Sequence, residues 1–152
     1  FSRLGTLVYR QMPGADRGPL FPDFAGLSAQ WETGAEYIAV YPNVLLGVHR
    51  DHAFAIVLIP EGVDRTREEV HLYYAAPDID ADALRRNAVQ WKTVFEEDIF
   101  VVEGMQRGRA AQAFDGGRFS PAMDGPTQCF HAWAAGRLTA ARMGADAIRV
   151  AG

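Results

Sequence analysis

Four apolar segments between residues 36 and 75 constrain the fold of this 152-residue chain more than any other feature. Apolar and polar residues alternate in these segments with the two-residue period of a strand that has one buried face. Pro42-Asn43, the corner Arg50-Asp51-His52 and a turn at residues 61–64 separate them. Connections this short join antiparallel neighbours, so we expect an antiparallel meander. A weaker alternation over residues 4–10 predicts an edge strand or the end of a longer strand.

A helical period follows the predicted strands. Asp80 or Asp82 can cap a helix that runs to about Arg107, and Thr127 can cap a second helix that reaches about Met143. Strands followed by helices indicate an α+β domain. We expect the long first helix to lie across a curved antiparallel sheet, with a ligand cavity between them.

One carboxylate interrupts the apolar face of the first helix. Steps of three and four residues place position 98 in a stripe formed by Leu84, Ala88, Trp91, Phe95, Val102 and Met105. A carboxylate in an apolar seam costs several kcal/mol unless it is paired, protonated or bound to a cation. Asp98 is therefore a candidate metal or catalytic carboxylate. A short helix break, or an Arg partner from elsewhere in the fold, is the alternative.

Charge and composition exclude several classes of function. The net charge is −4 and the arginines are scattered, which argues against a nucleic-acid partner. The chain is 49% hydrophobic and 22% charged, and no apolar run approaches the length of a membrane span, so we expect a cytoplasmic protein without a membrane partner. The single cysteine, Cys129, excludes an internal disulfide within these residues.

The four histidines are weaker candidates. His49 and His52 flank a charged hairpin corner, and they would bind a metal only with further ligands from distant parts of the fold. His71 lies on the last predicted strand, where it could be a polar pocket contact or a solvated residue. His131 lies near the start of the last helix, where packing or a hydrogen bond is the simplest role.

Two segments resemble the C-terminal part of the large (alpha) subunit of ring-hydroxylating Rieske non-haem iron oxygenases. The first is EEDIFVVEGMQRG at residues 96–108, preceded by Trp91 and followed by a Gly-rich loop, a Ser-Pro turn and FHAWAAGRL. The second is the strand stretch YPNVLLGVHRDHAFAIVLIPEGVDRTREEVHLYY, with its aromatic-Pro-Asn corner and its Thr-Arg turn. The resemblance covers residues 37–138.

This resemblance implies a helix-grip catalytic domain in which two histidines and one carboxylate hold a mononuclear Fe(II) ion. The family's carboxylate comes from the long C-terminal helix and matches Asp98, which would be both the metal ligand and the catalytic residue of this chain. Trp91, Phe95 and Val102 would be substrate-binding walls, with core packing as the equal alternative for all three, and His71 would be a polar contact to the substrate.

Other motifs of the family are missing from these residues. The two iron-binding histidines of the family lie in an acidic-x2-His-x4-His motif, a spacing that the four histidines here do not have. The Cys and His pairs that hold a Rieske cluster are also missing. Because the chain opens on Phe1 and already heads into a strand, we expect residues 1–152 to be a single partial domain, the C-terminal portion of an oxygenase catalytic domain. The upstream Rieske domain and histidine ligands would lie outside it, and the fragment alone would be inactive.

The resemblance implies an enzyme that uses dioxygen to hydroxylate an aromatic or other small organic substrate, as a mono- or dioxygenase. Electrons would pass from NAD(P)H through a reductase or ferredoxin and a 2Fe–2S Rieske cluster to the Fe(II) site. The intact protein would be a homotrimer or a multiple of one.

Three other interpretations stay open. Within the family, the reaction could be oxidative demethylation of a quaternary amine or a methoxy arene, with an aromatic cage drawn from Trp31, Tyr37, Tyr41, Tyr73, Tyr74 and Trp91. A metal-free helix-grip module that binds an apolar ligand predicts an Arg or Tyr partner for Asp98. A structural half-domain retained for oligomer assembly is the third.

Overall fold

The computed structural model describes the backbone of residues 2–8, 21–32 and 34–150, and the side chains of residues 21–31 and 34–142. Within these residues, five strands form one sheet in the order β1-β2-β3-β4-β5. They are β1 (Ser2–Val8), β2 (Gly34–Val40), β3 (Val44–Val48), β4 (His52–Pro60) and β5 (Thr66–Tyr74). The helices that follow are α1 (Ala81–Glu97), α2 (Ile99–Arg109) and α3 (Gly125–Val150). The expected α+β class, with helices and an antiparallel helix-grip-like sheet, is confirmed.

Strands β2 to β5 form the expected antiparallel meander. Val40 pairs with Val44 across the first hairpin, whose turn contains the predicted Pro42-Asn43 corner. The pairing continues from β3 to β4 and from β4 to β5 without a change of direction. The predicted edge strand is present as β1, although the last two residues of the predicted segment lie outside the described residues.

One face of the sheet carries the core. Gly47, Phe54 and Leu72 are cross-strand partners, so the ring of Phe54 projects from the same face as its neighbours. The lack of a side chain at Gly47 makes room for this ring, because a Cβ atom there would lie only 2.2 Å from Phe54 Cζ. Phe54 is buried together with Ile56 two residues further along β4.

Helix α1 packs on this face through side chains spaced four residues apart. The helix begins at Asp80, whose carboxylate accepts a hydrogen bond from the backbone N–H of Ala83 at 2.8 Å. Asn87, Trp91 and Phe95 follow on one side of the helix. The rings of Trp91 and Phe95 lie 4.6 and 5.2 Å from the ring of Phe54, centroid to centroid.

The prediction of one continuous helix up to about Arg107 is wrong. Helix α1 ends at Glu97, Asp98 is a turn residue, and α2 begins at the next position. The carbonyl oxygen of Asp98 accepts hydrogen bonds from the N–H groups of Val101 and Val102 and so starts the new helix. Aspartate is a weak helix former whose side chain competes with the helical backbone, which favours a boundary at this residue.

Residues 117–152 form a unit of their own, separate from the unit Arg3–Gly116. Its helix α3 is longer than predicted at both ends, because it begins two residues before Thr127 and extends seven residues beyond Met143. Within the unit, the rings of Phe130 and Trp133 stack at 5.9 Å, and the guanidinium of Arg137 lies over Trp133. Among all described helices, none combines the length and the apolarity that crossing a bilayer requires.

Candidate functional site

The sheet face under α1 and Trp91 of that helix form a group of aromatic and ionisable side chains, which we call the His52 cluster. Its members are Tyr37, His49, Asp51, His52, Phe54, Tyr74 and Trp91. The imidazoles of His49 and His52 stack with an interplanar angle of 2° and a centroid distance of 4.7 Å. The Trp91 ring lies 5.2 Å from the first imidazole and 5.7 Å from the second, so α1 covers both.

The hairpin between β3 and β4 explains why the two histidines meet. The backbone N–H of His49 donates to the carbonyl of His52 at 2.9 Å, which closes the corner around Arg50 and Asp51. Residues paired across a hairpin point to the same face, and here that face is the one under α1. The Arg50 side chain instead pairs with the carboxylate of Asp23 at the surface.

Asp51 is buried beside this pair, with only 4% of its surface exposed. Its Oδ1 atom lies 2.7 Å from Nδ1 of His52, and its Oδ2 accepts the backbone N–H of Phe21 at 3.3 Å. Burial alone would raise the pKa of the Asp51 carboxyl, but the hydrogen bond from His52 and the backbone amides of Phe21 and Asp51 outweigh it and lower that pKa. Asp51 is therefore an ionised, buried acceptor.

The hydrogen bonds of His52 determine its tautomer. Nε1 of Trp91 donates to Nε2 of His52 at 2.9 Å, and an indole N–H can only donate. The carboxylate of Asp51 can only accept, so the proton of the neutral ring must be on Nδ1. Asp51, His52 and Trp91 thus form a chain of two hydrogen bonds that joins the sheet to α1.

His49 and Tyr74 complete the polar part of the cluster. His49 is 7% exposed, and burial, assisted by His52 and opposed by Asp51, lowers the pKa of its imidazole to about 4. Burial and the charge of Asp51 raise the pKa of the Tyr74 hydroxyl, which donates to Oδ1 of the buried Asn87 at 2.9 Å. At neutral pH the side chains of His49 and Tyr74 are therefore uncharged, and Asp51 carries the negative charge of the cluster.

The structure brings two of the predicted site residues together. Trp91 and Phe95 stack at 5.4 Å and both contact Phe54. Val102 lies on α2 with 63% of its surface exposed, outside this group. His71 lies on the opposite face of the sheet, because it pairs with Ala55 whereas Phe54 pairs with the next residue along β5.

Asp98 does not lie in an apolar seam. The predicted stripe ends with α1, since Val102 and Met105 beyond the break are mostly exposed, and Asp98 itself is exposed. Within the described side chains, its carboxylate makes no hydrogen bond or ion pair. The hypothesis of a metal-free binding module predicts an Arg or Tyr partner for Asp98, and the described side chains do not provide one. The prediction that Asp98 is buried in an apolar seam is thus wrong. The structure does not test whether Asp98 corresponds to the family's helix carboxylate, and that stays a prediction.

The described residues do not form a complete iron site. In the part of the chain that the structure describes, no three His, Cys, Asp or Glu side chains are grouped to hold a metal. His52 already uses one ring nitrogen toward Asp51 and the other toward Trp91, so the His49 and His52 pair does not offer two ligands. Asp98 is at most one ligand of the three that the family requires.

The predicted aromatic cage is not assembled either. Tyr37, Tyr74 and Trp91 belong to the His52 cluster, where their rings pack against the imidazoles of His49 or His52. Tyr73 pairs with Ala53 and therefore faces the other side of the sheet, where it is 54% exposed. The six proposed cage residues therefore do not surround one point.

Sequence reasoning missed Asp51 and Asn87 as parts of a site, and it considered His52 only as a metal ligand together with His49. One signal was available: Asn87 and Trp91 are four residues apart on the apolar side of α1. A buried amide and a half-buried indole N–H each need a hydrogen-bond partner, and the opposing strands offer Tyr74 and His52.

A comparison with known families gives a match over most of the chain. The family described as "Ring hydroxylating alpha subunit (catalytic domain)" matches residues 10–140. The matched range contains β2 to β5, both α1 and α2, and the first part of α3. No curated protein matches the chain, and no solved structure does.

Proposed function

This chain belongs to the family of ring-hydroxylating alpha-subunit catalytic domains, and on that premise we propose that it works in an oxygenase acting on an aromatic or other small organic substrate. The match over residues 10–140 carries the proposal, and the packing of α1 across an antiparallel sheet supports it. As the family implies in general, the partners would be substrate, dioxygen and an electron donor. A mononuclear Fe(II) ion would supply the oxygen activation, with electrons from NAD(P)H delivered through a reductase and a Rieske cluster.

Asp98 is the residue that we propose as an iron ligand in this oxygenase. It matches the family's helix carboxylate, and its side chain makes no hydrogen bond or ion pair with the described side chains that iron would have to displace. Asp98 also directly follows α1, a helix that the hydrogen bonds of Asn87 and Trp91 hold on the sheet. The two histidine ligands would come from a segment that is not among these residues.

We propose Trp91 and Phe95 as the apolar part of the substrate surface, with Val102 one turn beyond Asp98. The stacked rings of the first two lie on the helix that leads to Asp98, which supports this assignment. His71 is left out of this surface because it faces the opposite side of the sheet.

Asp98→Ala in the full-length subunit tests the ligand assignment. We expect iron per subunit to fall from about three to about two, with the two cluster irons and their visible absorption retained. Substrate-dependent product formation should be lost, because a facial site with two ligands binds iron weakly. Glu97→Ala is the matched control, since it removes the neighbouring exposed carboxylate. Unchanged iron and turnover in Asp98→Ala, or loss of iron in Glu97→Ala instead, would contradict the assignment.

A further inference from the structure

One hydrogen bond between α1 and the sheet depends on a side chain of the type that gains a proton in weak acid. Trp91 on α1 donates its indole N–H to Nε2 of His52 on β4 at 2.9 Å. We propose that this bond is a pH switch, which opens when His52 is protonated. The C-terminal half of α1 then loosens from the sheet, while its N-terminal half stays in place. The switch involves no metal and no substrate, so it is independent of the proposed function.

The donors and acceptors around His52 determine why protonation opens the bond. The neutral ring has one accepting nitrogen, which Trp91 uses, and its Nδ1 donates to the carboxylate of Asp51 at 2.7 Å. A protonated imidazole has two N–H donors and no acceptor, and an indole N–H can only donate. The bond to Asp51 is kept, because Nδ1 donates in both forms of the ring. At Nε2, however, two N–H groups would point at each other, so the Trp91 bond must break.

The surroundings of His52 leave this ring as the group that changes its charge. Among the described residues, the titratable side chains that face it are Asp51, His49 stacked at 4.7 Å, and Tyr74 on β5 at 6.4 Å between ring centroids. Burial lowers the pKa of His49 to about 4 and raises the pKa of the Tyr74 hydroxyl, so both stay neutral in weak acid. Asp51 stays ionised, because its pKa is lowered. The weakly acidic range is the one in which histidine commonly becomes charged.

The two halves of α1 are held on the sheet by different contacts. In the N-terminal half, the hydroxyl of Tyr74 donates to Oδ1 of Asn87 at 2.9 Å, and neither group changes its charge in weak acid. In the C-terminal half, the Trp91 bond joins the helix to the sheet. Phe95 then packs on Phe54 at 5.2 Å, a contact between apolar rings that does not respond to pH. Opening of the switch should therefore loosen the second half of the helix and spare the first.

Hydrogen–deuterium exchange of the full-length subunit tests the switch. The backbone amides of residues 84–88 and 92–97 are compared at about pH 7.5 and about pH 5.5, with rates corrected for the pH dependence of exchange in free amides. In the wild type, we expect the protection of residues 92–97 to fall by roughly twofold to tenfold, the net effect of losing one hydrogen bond. Residues 84–88 should keep their protection, because the bond to Asn87 remains.

Three variants separate the switch from other effects of acid. His52→Gln keeps an oxygen that can accept from Trp91 but cannot gain a proton, so the protection of residues 92–97 should no longer depend on pH. Trp91→Phe removes the donor and should give low protection at both pH values. His71→Gln removes an exposed histidine on the opposite face of the sheet. It is the matched control and should behave like the wild type.

The possible results decide between the switch and its alternatives. A fall in His52→Gln as large as that of the wild type would overturn the switch and point to another group, such as His49. Constant protection of residues 92–97 in the wild type would also overturn it, as would an equal fall in both halves of α1. Should His52→Gln fail to fold, Trp91→Phe decides, because a wild-type fall without the indole N–H cannot come from this bond. The iron content of Asp98→Ala tests the proposed function separately.

Discussion

Acidification from about pH 7 to about pH 5 should destabilise the unit Arg3–Gly116 through His49. In the folded protein, burial under α1 holds the pKa of this imidazole at about 4, whereas its ordinary value is 6.5. Between these two values the unfolded chain binds a proton that the folded chain does not. The contribution of neutral His49 to stability is therefore complete above about pH 6.5, and it is lost as the pH falls toward about 4.

The size of the effect follows from the two pKa values. A difference of one pKa unit corresponds to about 1.4 kcal/mol, so the full loss approaches about 3 kcal/mol near pH 4. At about pH 5 the loss should be about 2 kcal/mol relative to pH 7. Asp51 does not contribute in this range, because its lowered pKa affects stability only when the pH approaches the ordinary value of 3.8.

Urea unfolding followed by tryptophan fluorescence measures this loss. A Trp133→Phe background removes the indole of α3, so that the signal comes from the unit containing the cluster. His49→Phe keeps a ring beside Trp91 but cannot titrate, and its unfolding free energy should lose about 2 kcal/mol less between the two pH values. His71→Gln, on the exposed side of β5, is the control and should follow the wild type. The same pH dependence in wild type and His49→Phe would refute the reasoning.

Two further predictions concern the sheet and the start of α1. Gly47→Ala should lower the free energy of unfolding by about 1–3 kcal/mol or more, because its Cβ would overlap the ring of Phe54, while Gly62→Ala in an open turn should change it little. Thermal melts of the two variants would compare them, and an equal Tm would contradict the crowding argument. Asp80→Ala removes the N-cap hydrogen bond and should cost about 1 kcal/mol in urea unfolding, whereas Asp78→Ala should cost far less. Equal losses in the two aspartate variants would show that the cap is not the cause.

The sheet could be predicted closely from the sequence. The alternation of Tyr37 and its neighbours, and the corners at Pro42 and Arg50, are local signals, and the structure follows them to within two residues. A cap at Asp80 or Asp82 was predicted for the same reason, and the structure has it at Asp80, whose carboxylate accepts the N–H of Ala83. Short-range chemistry determines each of these features.

The candidate site could not be predicted as well, because it depends on contacts between distant residues. Trp91 and His52 are 39 positions apart in the chain, and no local pattern pairs them. The helix boundary at Asp98 was foreseen only as the alternative of a short helix break, because the apolar residues after it kept a helical spacing. Spacing alone does not show whether an apolar stripe is continuous or buried. Family resemblance pointed to Asp98 independently, which is why the assignment outlasts the burial argument.

The contact between Gly47 and Phe54 also has a consequence for how relatives of this chain can vary. The ring occupies the space where any other residue at position 47 would place its Cβ atom. A relative with a side chain at position 47 should therefore carry a smaller residue at position 54, and it would need a different ring to support Trp91 and Phe95. Substitutions at these four positions are expected to occur together in evolution, as a linked group across two strands and a helix.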